Sequence, residues 1–65
     1  MKVGDKIKDI EDGDCFYYGT VTKINNKEVF YLLEGVIWDG EKDTDFEDIG
    51  KEIPLKWWKI ELYED

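Results

Sequence analysis

Sixty-five residues with a net charge of −8, no histidine and no arginine describe one small acidic domain, 1–65. It lies near the lower size limit for folding without metal or disulfide. Direct binding to a phosphate backbone requires clustered cations, so nucleic acid is not an expected partner. Without histidine the chain lacks the usual neutral-pH proton carrier and the commonest nitrogen ligand for zinc.

The excess charge is unevenly placed: residues 1–30 carry five lysines against six acids, and residues 31–65 four lysines against eleven. The single cysteine, Cys15, has no internal partner. With no apolar run of membrane or signal-peptide type, this leads to the expectation of a reducing cytoplasmic compartment and no membrane association. With no histidine to pair with, Cys15 reads as a structural thiol.

Taken in chain order, residues 5–10 form a first strand with Ile7 and Ile10 as its apolar positions. Glu11-Asp12-Gly13-Asp14 is turn chemistry. From Cys15 to Ile24, aromatic and β-branched residues make a second strand. Its alternation places Tyr17, Gly19 and Val21 on the inner face and Phe16, Tyr18, Thr20, Thr22 and Ile24 on the outer one. On that inner face Gly19 marks a close approach of another strand.

Asn25-Asn26-Lys27 makes a hairpin turn, and Glu28 to Leu33 returns as a third strand. Gly35 marks a bulge or a second turn, with Val36-Ile37-Trp38 continuing the apolar run to Asp39-Gly40. Residues 39–52 are expected to form an acidic loop insertion, anchored by Phe46 and Ile49. The last strand is assigned to 57–63, with Trp58, Ile60 and Leu62 facing the core and Trp57, Lys59, Glu61 and Tyr63 facing out. The fold class is therefore all-β, a small barrel of about five antiparallel strands.

Two blocks carry a family resemblance. Val3-Gly4-Asp5-Lys6-Ile7, then Asp12-Gly13 and Phe16-Tyr17-Tyr18-Gly19-Thr20-Val21, is similar to the opening of Tudor and related SH3-like barrels. Ile53-Pro54-Leu55-Lys56-Trp57-Trp58 resembles the end of SH3 domains, where such a segment makes one 3₁₀ turn and enters the final strand. The resemblance implies that Phe16 matches the first aromatic of the Tudor cage. It also implies that Pro54 and Trp57 match the proline and tyrosine of the SH3 peptide groove, and that Trp58 matches a core valine. The chain departs from both families in lacking the "ALYDY" strand and the later cage aromatics, and in carrying residues 36–50 as an insertion.

The candidate binding residues are Phe16, Tyr18, Trp38, Pro54 and Trp57, read as exposed aromatics beside acids that would receive a basic or proline-containing protein partner. Asp39, Glu41, Asp43, Asp45, Glu47 and Asp48 form a candidate acidic docking surface. Their alternate spacing has the look of a calcium loop, but Thr44 stands where that loop needs glycine and Gly50 where it needs a bidentate glutamate. No metal, cofactor or catalytic residue is expected, since no carboxylate pair is placed in an apolar cleft. The alternative is a small acidic decoy, as an accessory protein of a bacterial virus would be, whose carboxylates imitate nucleic-acid phosphates and occupy a basic surface.

Overall fold

The computed structural model describes residues 1–12, 15–56 and 59–63, with the backbone alone at Asp12. Six antiparallel strands follow in chain order. They are β1 (Lys6–Asp12), β2 (Cys15–Ile24), β3 (Glu28–Trp38), β4 (Glu41–Asp43), β5 (Glu52–Lys56) and β6 (Ile60–Leu62). The sheet runs β4-β3-β2-β1-β6, and β5 lies against the first half of β3. No helix among the described residues is long and apolar enough to cross a membrane.

β2 and β3 are the backbone of this sheet, joined by the expected turn. There Asn25 Oδ1 accepts from the amides of Lys27 and Glu28, at 2.9 and 2.8 Å. That side chain supplies the bonds a two-strand reversal leaves open. The ladder slips twice. Tyr18 pairs with Gly35 but Gly19 with Leu33, leaving Glu34 extra. Val21 pairs with Tyr31 but Lys23 with Phe30, leaving Thr22 extra.

Each slip bends the strands and resets which side chains face inward. The second one corrects the sequence reading of Ile24. Strict alternation puts it on the outer face, but the extra residue at Thr22 turns it inward, where it packs against the core. Bent this way, the sheet curls until Leu55 of β5 joins Ile7 of β1 in one buried cluster with Val21, Val29, Tyr31 and Leu33. Tyr17, Phe46, Ile49, Ile53 and Ile60 close around it. The arrangement is compatible with a small β-barrel.

Gly19 is required by this packing. A Cβ there would collide with the carbonyl oxygen of Leu32 and the ring of Tyr31, so only glycine lets the two strands approach. The N-terminal segment is tied down by Gly4 N–H donating to Val21 O and Val21 N–H to Asp5 O, each 2.9 Å.

Two expectations about the second half are corrected. Residues 39–52 are not one loop. Asp39 and Gly40 both have positive φ, 53° and 81°, the combination that closes a two-residue hairpin, and β4 follows at once. Phe46 and Ile49 do anchor the remainder to the core, and Gly50 N–H and Lys51 O bond Leu33 on its way into β5.

Ile53-Pro54-Leu55 is not a 3₁₀ turn but part of β5, with Leu55 opposite Val29 and Ile53 opposite Tyr31. A proline fits here because β5 borders the sheet, so its missing N–H breaks no ladder bond. A 3₁₀ turn does occur at Lys59, and the last strand is shorter than the expected 57–63. The assignments made for Trp57 and Trp58 lie outside the described residues.

Candidate binding surfaces

Those sequence-predicted binding residues that are among the described ones, Phe16, Tyr18, Trp38 and Pro54, fall on three separate surfaces. Phe16 and Tyr18 project from the outer face of β2, as alternation requires. Yet Tyr18 is buried, at 8% exposure, which corrects the expectation of an open ring. The cause is local: Gly35, directly opposite, has no side chain, and the Tyr18 ring lies over it so closely that a Cβ would strike its hydroxyl. Tyr63, just past β6, then packs edge-on against both rings, with centroids 5.6 Å from Phe16 and 5.4 Å from Tyr18.

The faces of these rings are already supplied with cations. Lys8 Nζ stands 5.2 Å from the Phe16 centroid and Lys42 Nζ 5.3 Å from that of Tyr18, within the range of a cation–π contact. Lys8 also reaches Glu61, at 3.6 Å, and Lys6 pairs with Glu34 at 2.8 Å. An incoming lysine or arginine would have to displace the chain's own ammonium groups. Sequence reasoning missed Tyr63, Lys8 and Lys42 here, because Lys8 and Tyr18 are cross-strand partners only once the β1–β2 register is known.

Pro54 lies apart from this cluster. It is exposed opposite Phe30, in the first half of β3, whereas Tyr18 pairs in the second half. Lys23 covers the Phe30 ring at 5.5 Å. The described residues therefore do not join Phe16, Tyr18 and Pro54 into one groove, and Trp57 lies outside them.

Trp38 is different. It is 71% exposed, and its indole meets neither a cation nor a second ring among the described residues. The hairpin turn at Asp39-Gly40 sets its surroundings. Trp38 pairs with Glu41 and Val36 with Asp43, and alternate residues share a face. The two carboxylates thus stand on the indole's side of the hairpin, while Lys42 is turned toward Tyr18. A shallow depression lined by Val36, Trp38, Asp39, Glu41, Lys42 and Asp43 results.

The rest of the acidic segment is more engaged. Asp43 Oδ1 accepts from the Asp45 amide at 3.0 Å, and Asp48 pairs with Lys51 at 3.0 Å. Glu47 is exposed. No group of three or more acids, cysteines or histidines among the described residues is arranged to hold a metal.

One buried polar contact was not foreseen. Asp9, on the inner face of β1, is 7% exposed, and its Oδ2 accepts from the Tyr31 hydroxyl at 3.1 Å. Burial, followed by the charge of Asp9 and its hydrogen bond, raises the Tyr31 hydroxyl above its ordinary value of 10.0. The sequence signal for this pair was weak: Asp9 occupies an inward position of a strand that was read from its two isoleucines.

No family model, curated protein or solved structure matches the chain in comparisons of sequence and of structure.

Proposed function

We propose that this chain is a non-enzymatic binding module for a basic protein segment, and that its contact surface is the β3–β4 hairpin around Trp38. The observation that carries this reading is a large aromatic left open to solvent with the carboxylates of Asp39, Glu41 and Asp43 beside it. An exposed indole attracts a cationic side chain through its π face, and adjacent carboxylates add charge attraction and orientation. Tryptophan is also among the residues most enriched at interface hot spots.

The SH3-like reading of the fold belongs to the same proposal. The strand order β6-β1-β2-β3-β5 and the 3₁₀ turn before the last strand support it, with β4 as an added hairpin. In this reading the added hairpin carries the contact surface in place of the aromatic groove of those families.

The test is titration calorimetry with the basic peptide Ac-(Lys-Gly)₄-NH₂ alongside thermal melting. Trp38→Ala is expected to weaken binding about tenfold, roughly 1.4 kcal/mol, and to leave the melting midpoint within a degree or two because the ring is exposed. Full binding by Trp38→Ala, abolished when Asp39, Glu41, Asp43, Asp45, Glu47 and Asp48 are neutralised, would replace this reading with the acidic decoy.

A further inference from the structure

A second recess shares no lining residue with the depression around Trp38, and nothing in the binding reading above uses it. It is lined by Asp9, Glu11, Tyr17, Tyr31, Leu33, Asp48 and Ile53. Its inner wall is the buried carboxylate of Asp9. Only one oxygen of that carboxylate is occupied: Oδ2 accepts from Tyr31, and no donor among the described residues reaches Oδ1. No buried side-chain oxygen among the described residues is without a partner. Oδ1 is therefore not fully enclosed, and Asp9 is among the residues that line the recess.

Three features define what such a recess would accept. Asp9 is largely buried and its one donor is the neutral Tyr31 hydroxyl, so a cation brought to this carboxylate meets little competition from water. None of the three ion pairs formed by the described residues involves Asp9 or Glu11, while Asp48 at the rim holds Lys51. The sides are Tyr17, Leu33 and Ile53, two aliphatic chains and one ring, suited to an alkyl stem. The raised Tyr31 hydroxyl keeps its proton and so stays a donor to Asp9, which leaves Oδ1 free as an acceptor.

We propose that this recess is a receptor for a primary ammonium group carried on an aliphatic stem. The ammonium would donate to Asp9 Oδ1 with Glu11 at the mouth, and the stem would lie along Tyr17, Leu33 and Ile53. The chemistry is that of a lysine side chain of a partner protein or of a free polyamine. The site is independent of the Trp38 hairpin.

The test is a ¹H–¹⁵N NMR titration of the whole chain with n-butylammonium, using n-butanol as the uncharged isostere. Saturable shifts are expected at Asp9, Tyr17, Tyr31, Leu33 and Ile53 with the ammonium and not with the alcohol. Asp9→Asn keeps the acceptor for Tyr31 but removes the charge, and should weaken binding at least tenfold. Glu11→Gln, at an exposed position, should weaken it severalfold and serves if Asp9→Asn does not fold. Trp38→Ala should change nothing here.

Equal shifts with butanol, unchanged affinity in both carboxylate variants, or shifts confined to residues 36–43 would overturn the proposal. A parallel titration with Ac-Gly-Lys-Gly-NH₂ and with spermidine separates the sources. Tighter binding of the peptide assigns the site to a partner's lysine, and tighter binding of spermidine to a free polyamine.

Discussion

Single residues set the geometry of this small core because few side chains fill it, so the absence of one Cβ matters as much as the presence of a ring. Gly19 is the sharpest case. A methyl group there would meet the backbone oxygen of Leu32, which cannot move without disturbing the β2–β3 ladder. Gly19→Ala is expected to lower stability by about 1–3 kcal/mol, read as a drop in the urea midpoint with the slope unchanged. Tyr31 gives a second residue-scale test, with a pH signature. Its hydroxyl has a folded-state pKa raised above the unfolded value, so folding favours the protonated form. The stability this contributes is complete below about pH 10 and declines as the pH rises beyond it. Tyr31→Phe should cost about 1–3 kcal/mol at neutral pH by leaving the Asp9 carboxylate without its donor. The variant should also lose less of its remaining stability than the parent between pH 9 and pH 11. Parallel alkaline denaturation curves would show that the Tyr31 hydroxyl is not the group involved.

Among the elements, the β3–β4 hairpin is the one whose role separates from the core. Its turn depends on two consecutive positive φ angles, and only Gly40 adopts such a conformation freely. Gly40→Val should therefore fray β4, seen as faster amide exchange at Lys42 and Asp43, while Tyr31 and Val21 keep their protection. Binding of the basic peptide should fall with it, since Trp38 and Glu41 would no longer be held together. Full affinity in a frayed hairpin would mean that the acids act without the indole's fixed position. The hairpin also shows what was legible in the sequence. The strand Cys15–Ile24, the Asn25 turn and the anchors Phe46 and Ile49 all follow from composition and period, which are local properties. β4 was hidden because Glu41-Lys42-Asp43 has no apolar alternation; its strand character comes from the turn before it and from pairing with β3. Ile24 and Tyr18 were misread for a related reason. Tyr18 depends on a glycine in the opposite strand, and Ile24 on an extra residue in its own strand that shows only once the pairing with β3 is known. Trp38 and its acids could be named in advance because they adjoin in sequence, whereas Asp9 and Tyr31 meet only through the fold.

For the molecule as a whole, the dominant fact is a charge of −8 on 65 residues, with few ion pairs among the described residues to offset it. Like charges at this density repel across a domain whose Cα radius of gyration is 11.0 Å, and that repulsion opposes the compact state. Its range is comparable to the molecule at low salt and shorter at high salt, since the screening length is about 30 Å at 0.01 M and about 3 Å at 1 M. Two opposite salt effects should follow. The melting temperature should rise as sodium chloride increases from about 0.01 to 0.5 M, because self-repulsion is screened. Affinity for the basic peptide should fall over the same range, because the attraction is screened too. The size of that fall discriminates between the two modes of binding. If the indole of Trp38 carries much of the contact, part of the affinity persists at about 0.5 M salt, since burial of an aromatic face is less sensitive to screening. If the carboxylates act alone as a field for a basic surface, affinity drops by orders of magnitude and Trp38→Ala makes no difference at either salt concentration. Measuring parent and Trp38→Ala across the salt series places the binding energy on the ring or on the charge.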